Sequence, residues 1–98
     1  MIHSFKDSRL EKIFRKGKGQ PGIPSDITNS ILSRLKTLDE VSSEKELTSN
    51  SLRYERLRMT CNRYSSIRVN SKYRLFFEWQ DGAHNVHLSA HDYKSLIH

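Results

Sequence analysis

A single cysteine, Cys61, is all the thiol chemistry this chain has, so it cannot form an intrachain disulfide and must fold without a covalent cross-link. That suits a reducing compartment. With no base near it in sequence, Cys61 is also a poor candidate nucleophile. Long apolar runs are missing too. Nothing approaches the roughly 18 residues a membrane-spanning helix needs, and the opening MIHSFKDSRL lacks the apolar centre of a secretory signal. The chain is therefore expected to be soluble, without membrane contact, and to remain in the cytoplasm. Glycine and proline are scarce, and three of the four glycines and both prolines fall within GKGQPGIPS at 17–25, which reads as a loop. There is no glycine-rich phosphate loop, no dinucleotide fingerprint and no zinc-type cysteine cluster. Nucleotide-driven chemistry is thus disfavoured, and no metal or other cofactor is expected. His84, His87 and His91 form a spaced trio, but on a regular strand their steps of three and four put His84 on the face opposite the other two, which argues against a shared metal ion.

What is present is a polar, basic chain of 98 residues, sized for one domain over 1–98 with one core. Hydrophobic residues make up 35% and charged residues 29%, enough apolar content to fold. The net charge of +6 is unevenly spread: Arg53, Arg56, Arg58, Arg63, Arg68, Lys72 and Arg74 face only one acid, Glu55, between residues 53 and 74. Such a run favours a polyanion, because each phosphate neutralised releases counterions. A solvated basic surface is the ordinary alternative.

The first six residues alternate weakly, with Ile2 and Phe5 apolar, as in a short strand. Leu10, Ile13 and Phe14 follow at helical spacing, with Ser8 and Glu11 placed as a capping box and Gly17 as a stop. From Ser25, the positions Ile27, Ile31, Leu32, Leu35 and Leu38 predict the main amphipathic helix, ending near Val41. Glu44 to Leu47 fit one further turn. The period then changes to two. In SIRVNSKYRLFFEW, residues 66–79, Ile67 and Val69 share a face with Tyr73, Leu75, Phe77 and Trp79, while Arg68, Arg74, Phe76 and Glu78 lie on the other. Asn70 and Ser71 fit a tight turn, and Asp81 and Gly82 a second. With a strand near SLRYERLR, this predicts an α+β fold: two N-terminal helices packed on one face of a twisted antiparallel β-sheet, with Arg68 and Arg74 together on the open face.

A basic sheet face ringed by Tyr54, Glu55, Tyr64, His87, His91, Asp92, Tyr93 and Lys94 holds the parts for RNA cleavage without a metal, since RNA carries its own 2′-hydroxyl nucleophile. The same parts serve plain RNA binding, with Tyr64 or Phe76 stacking bases and arginines holding the backbone. Composition does not separate the two.

The order helix, helix, antiparallel sheet, the motif SIRVNSKYRLFFEW and the closing HDY resemble the HigB (host inhibition of growth) branch of the RelE/ParE toxin superfamily over nearly the whole chain. The resemblance implies the toxin of a bacterial toxin–antitoxin pair: a ribosome-dependent endonuclease that cuts translated mRNA in the A site. It also implies inhibition by a HigA-like helix-turn-helix antitoxin, through which alone the toxin would meet operator DNA. The likeness makes Arg74 the phosphate-stabilising arginine and assigns Asp92 and Tyr93 to the C-terminal part of the active site. It gives Arg58 a basic position ahead of the central strands. Arg68 takes an RNA-backbone contact, with Arg56 and Lys72 as further basic contacts. Two departures stand out, for relatives carry histidine where this chain has Glu55 and Lys94. A glutamate is a weak base at neutral pH and a lysine a reluctant acid, so a slower nuclease is expected. The superfamily also leaves room for a ParE-like gyrase inhibitor that cuts no RNA, or for a non-enzymatic module that binds RNA or the ribosome.

Overall fold

The computed structural model describes residues 1–48, 52–57 and 63–90. Helix α1 spans Ser8–Lys16 and helix α2 spans Thr28–Glu40, the latter entered through a 3-10 turn at Ser25–Ile27. Another 3-10 turn covers Glu44–Thr48. Four strands follow, β1 (Glu55–Leu57), β2 (Tyr64–Arg68), β3 (Tyr73–Trp79) and β4 (Ala83–Ala90), in the antiparallel order β1-β2-β3-β4. The α+β architecture is the one the change of period predicts.

Local signals account for most boundaries. Asp7, rather than Ser8, caps α1: its Oδ1 accepts from the Arg9 backbone N–H at 3.0 Å, and its carboxylate also receives the Arg9 guanidinium at 2.8 Å. Burial pushes the Asp7 carboxyl up, but the hydrogen bonds and charge of Arg9 outweigh it and hold the group below the usual range. Gly17 ends α1 in the left-handed region at φ 71°, where a residue without Cβ is unstrained. Leu10 and Ile13 of α1 join Ile31, Leu35 and Leu38 of α2 against Ile67, Val69, Leu75, Phe77, Ala83 and Val86 of the sheet in one buried cluster. Each of these side chains larger than alanine contributes about 1.5–3 kcal/mol by leaving water.

Between β2 and β3, Asn70 organises the turn, its Oδ1 accepting from the backbone N–H of Lys72 (2.9 Å) and Tyr73 (2.7 Å). The pairing is thereby fixed, with Ile67 opposite Leu75 and Arg68 opposite Arg74. Between β3 and β4 the register shifts by one after Phe76, where Asn85 takes φ 55°. This bulge overturns the strict alternation assumed for the histidines. His84 stands opposite Glu78 and His87 opposite Phe76, so the two lie on the same face.

The segment 1–6 runs parallel to β4, bridging Ile2 to Ala83 and Phe5 to Val86. Gly82 permits this approach: a Cβ there would lie 2.4 Å from the His3 ring and 2.7 Å from the Met1 carbonyl oxygen. Gly82→Ala is expected to cost about 1–3 kcal/mol through overpacking and to speed amide exchange at His3 and Val86, measured by urea denaturation and hydrogen exchange.

Glu78 anchors the bulge, accepting from Asn85 Nδ2 and from Arg63 Nε at 2.6 Å. Burial raises its carboxyl, yet the bonds from Arg63 and Asn85 and the Arg63 charge hold it below the usual 4.5 of a glutamate. The folded-state pKa is the lower one, so its stabilisation is present above about pH 4.5 and lost as pH falls through the folded value. Glu78→Gln should therefore lower stability at neutral pH and flatten the loss on acidification, read from denaturation midpoints between pH 7 and 3.

Candidate functional site

The sheet face turned away from the helices is divided. At one end Leu57, Tyr64, Phe76 and His87 share the surface, with Leu57 and Phe76 completely buried. His87 meets the ring of Phe76 edge-on at 5.5 Å and that of Tyr64 at 5.7 Å. Burial lowers the His87 pKa and favours the neutral ring. Phe76 is thus a packing residue, with no ring face left for a base. The sequence pattern set its side of the sheet correctly but could not show that this end of the face is covered.

At the other end the face opens into a cleft of about 510 Å³ lined by Arg53, Tyr54, Glu55, Arg68, Asn70, Ser71 and Arg74. Its central group is Arg74, only 8% exposed. Nε donates to Ser66 Oγ at 2.8 Å, and Nη2 donates to the backbone carbonyl of Arg53. Both acceptors are neutral. The carboxylate of Glu55, half exposed, approaches no closer than 3.9 Å. The guanidinium is held in place by two neutral acceptors, with the Glu55 carboxylate at the edge of ion-pair distance.

Arg68 stands directly across from Arg74. Its Nε donates to the Asn70 carbonyl at 3.1 Å, and its own carbonyl accepts from Arg34 Nε of α2 at 2.8 Å. Two unit charges 4 Å apart repel by about 4 kcal/mol near a protein surface, falling as they separate. An anion placed between the arginines converts this repulsion into attraction. Among the described lining residues, three arginines stand against one glutamate, a positive balance.

Other basic residues read from the sequence lie elsewhere. Arg56 pairs with Ser65 on the side opposite Glu55, where Nη1 reaches Glu44 at 3.5 Å. Glu44 also accepts from the Tyr54 hydroxyl, and burial together with that carboxylate raises the tyrosine pKa. Tyr54 is consequently a poorer proton donor than an ordinary tyrosine. Lys72 is exposed in the turn beside the cleft, its ammonium 5.5 Å from the Tyr73 ring centre. Arg58, His91, Asp92, Tyr93 and Lys94 lie outside the described residues. Among the described residues no group of three metal-ligating side chains converges, and no helix is long and apolar enough to cross a membrane.

Sequence reasoning missed Ser66, Arg53 and Asn70 as parts of the site. Strand alternation carried a usable signal for Ser66, which sits two residues before Arg68 and so on the same face. The contribution of the Arg53 carbonyl left no trace in residue type.

Two helices on one face of a four-stranded antiparallel sheet make up the fold of a RelE-like toxin. The comparisons agree: the family described as RelE-like toxin of type II toxin-antitoxin system HigB matches residues 3–91, and the chain belongs to that family. It is also 39% identical over 95 residues to Toxin HigB-1 of Vibrio cholerae serotype O1 (strain ATCC 39315 / El Tor Inaba N16961), covering 95% of this chain and all of that relative. The protein is a toxin of a type II toxin–antitoxin system, and an antitoxin is its implied partner.

The Arg74 Nε to Ser66 Oγ bond is buried, so Ser66→Ala strands a charged donor. Stability should fall by about 1–3 kcal/mol, measured by chemical denaturation, with a larger loss of toxicity than Ser65→Ala causes.

Proposed function

We propose that the protein is an endoribonuclease that cuts translated mRNA in the ribosomal A site, so inhibiting translation and growth. A HigA-like helix-turn-helix antitoxin would neutralise it, and it would meet operator DNA only through that antitoxin. One observation carries the reading: a buried arginine held by neutral acceptors, opposite a second arginine, in a cleft of about 510 Å³. That volume lies in the range of small-ligand sites.

The chemistry follows from RNA itself. A base takes the 2′-hydroxyl proton, the 2′-oxygen attacks the adjacent phosphorus, and the bond to the 5′-oxygen breaks as that oxygen gains a proton. The products are a 2′,3′-cyclic phosphate and a 5′-hydroxyl end. Arg74 is assigned to the phosphoryl oxygens, whose charge grows in the transition state, and Arg68 to the neighbouring backbone, with Lys72 at the rim. Glu55 is the one carboxylate in the described cleft and is assigned the role of base. Asp92, Tyr93 and Lys94 follow from the resemblance alone; Ala90, the last described residue of β4, stands opposite Tyr73, one register position from Arg74. The role of Arg58 rests on the resemblance alone. The pairing of Arg56 with Glu44 favours a peripheral contribution to binding. The reaction as written needs no metal, and the cytoplasm, where mRNA is translated, is its site.

Brief expression in bacteria with mapping of mRNA 5′ ends tests the reading. New 5′-hydroxyl ends inside translated codons are expected, reduced about 100-fold or more in Arg74→Ala, the loss typical of removing one donor to a developing oxyanion. Circular dichroism should show that variant folded. Glu55→His should cut faster than the parent. Growth arrest with gyrase-linked DNA breaks and intact mRNA would instead favour a ParE-like toxin, and ribosome association without new ends a binding module.

A further inference from the structure

Three described residues other than glycine have positive φ: Asp81, Asn85 and Arg53. Asp81 lies in the β3–β4 turn and Asn85 at the bulge, and both are types that tolerate the left-handed region. Arg53, at φ 51°, is not such a type and stands just before β1. Conformations of this kind persist where the surroundings hold them, and they gather at functional sites. Here the carbonyl of Arg53 accepts from Nη2 of Arg74, and the residue also lines the cleft.

The geometry points to Arg53 as a residue with two functions: its left-handed backbone positions Arg74, and its guanidinium is the third anion contact of the cleft, engaging the phosphate next to the one that reacts. This assignment rests on the cleft being an RNA site and names how that site recognises a second phosphate. The backbone carbonyl turns toward Arg74 only while the left-handed conformation lasts, and with Ser66 Oγ it fixes the guanidinium from two sides. The Arg53 side chain is exposed, with no acidic partner among the described residues, whereas the exposed Arg15 and Arg63 are ion-paired. Arg53 thus enlarges the positive field beyond the Arg68–Arg74 pair.

Three substitutions separate backbone from side chain. Arg53→Gly and Arg53→Asn keep access to the left-handed region but remove the charge, whereas Arg53→Val removes the charge and opposes the conformation. In the free, full-length protein, hydrogen exchange at Arg74 Nε should stay within threefold of the parent in the glycine and asparagine variants and accelerate at least tenfold in the valine variant. Binding of a non-cleavable trinucleotide, with a 2′-deoxy sugar at the scissile position, should show a log–log salt slope shallower by about 0.7 in all three, the value for one phosphate contact on a single strand. In cleavage, the glycine and asparagine variants should act mainly on KM, and the valine variant on kcat as well.

Equal Arg74 exchange in the valine and glycine variants would overturn the positioning role, and an unchanged salt slope would overturn the phosphate contact. Failure of the parent itself to bind the trinucleotide would overturn the phosphate contact, whereas the nuclease reading is decided separately by the mapping of mRNA 5′ ends. The exchange measurement needs no ligand and decides the positioning role on its own.

Discussion

The burial of Arg74 is the constraint on which the site depends. A cation removed from water costs several kcal/mol unless its donors are met. Here two of them are met by a hydroxyl on β2 and a carbonyl just before β1. The arginine therefore stands where it does only if β1, β2 and β3 are in register. A slip of one residue between β2 and β3 would turn Ser66 to the helix side and leave the guanidinium unpaired. Sheet register and the charge of the cleft are one requirement, and the Asn70 turn enforces it from the end of the hairpin.

Charges are sorted by side of the sheet. On the helix side Glu44 gathers Arg56, Tyr54 and Ser65 into a knot that ties β1 to the segment following α2. On the outer side Glu78 pairs with Arg63, away from the cleft, and the described lining of the cleft sets Arg53, Arg68 and Arg74 against Glu55. Had the acids been distributed evenly, the cleft would carry little net potential, and a phosphate would gain little over water. The apolar end of the outer face, with Phe76 and Leu57 buried, adds no charge to that side of the sheet.

Much of this was legible in the sequence, because the governing signals are local and periodic. The stripe at Ile27, Ile31, Leu35 and Leu38 marks α2, and Gly17 marks the end of α1. The alternation through SIRVNSKYRLFFEW is enough by itself to place Arg68 and Arg74 on one face. What escaped are features in which one residue breaks a period or a backbone atom acts in place of a side chain. The bulge at Asn85 moved His84 to the side of His87, and period-two counting has no means of anticipating it. Arg56 and Glu55 are neighbours in sequence and opposites in space, so a basic run read as one surface is split between two. The burial of Phe76 depends on what covers the sheet, which alternation does not encode.

The pairing of residues 2–5 with residues 83–86 bears on the order in which the molecule can be completed. During synthesis the first residues emerge long before their partners on β4 exist, and closing so long a loop is an entropic step taken late. Arg74 is likewise made after Ser66 and Arg53. A half-made chain has neither its cleft nor its finished sheet. The described sheet acquires its shape only as β4 leaves the machine that built it.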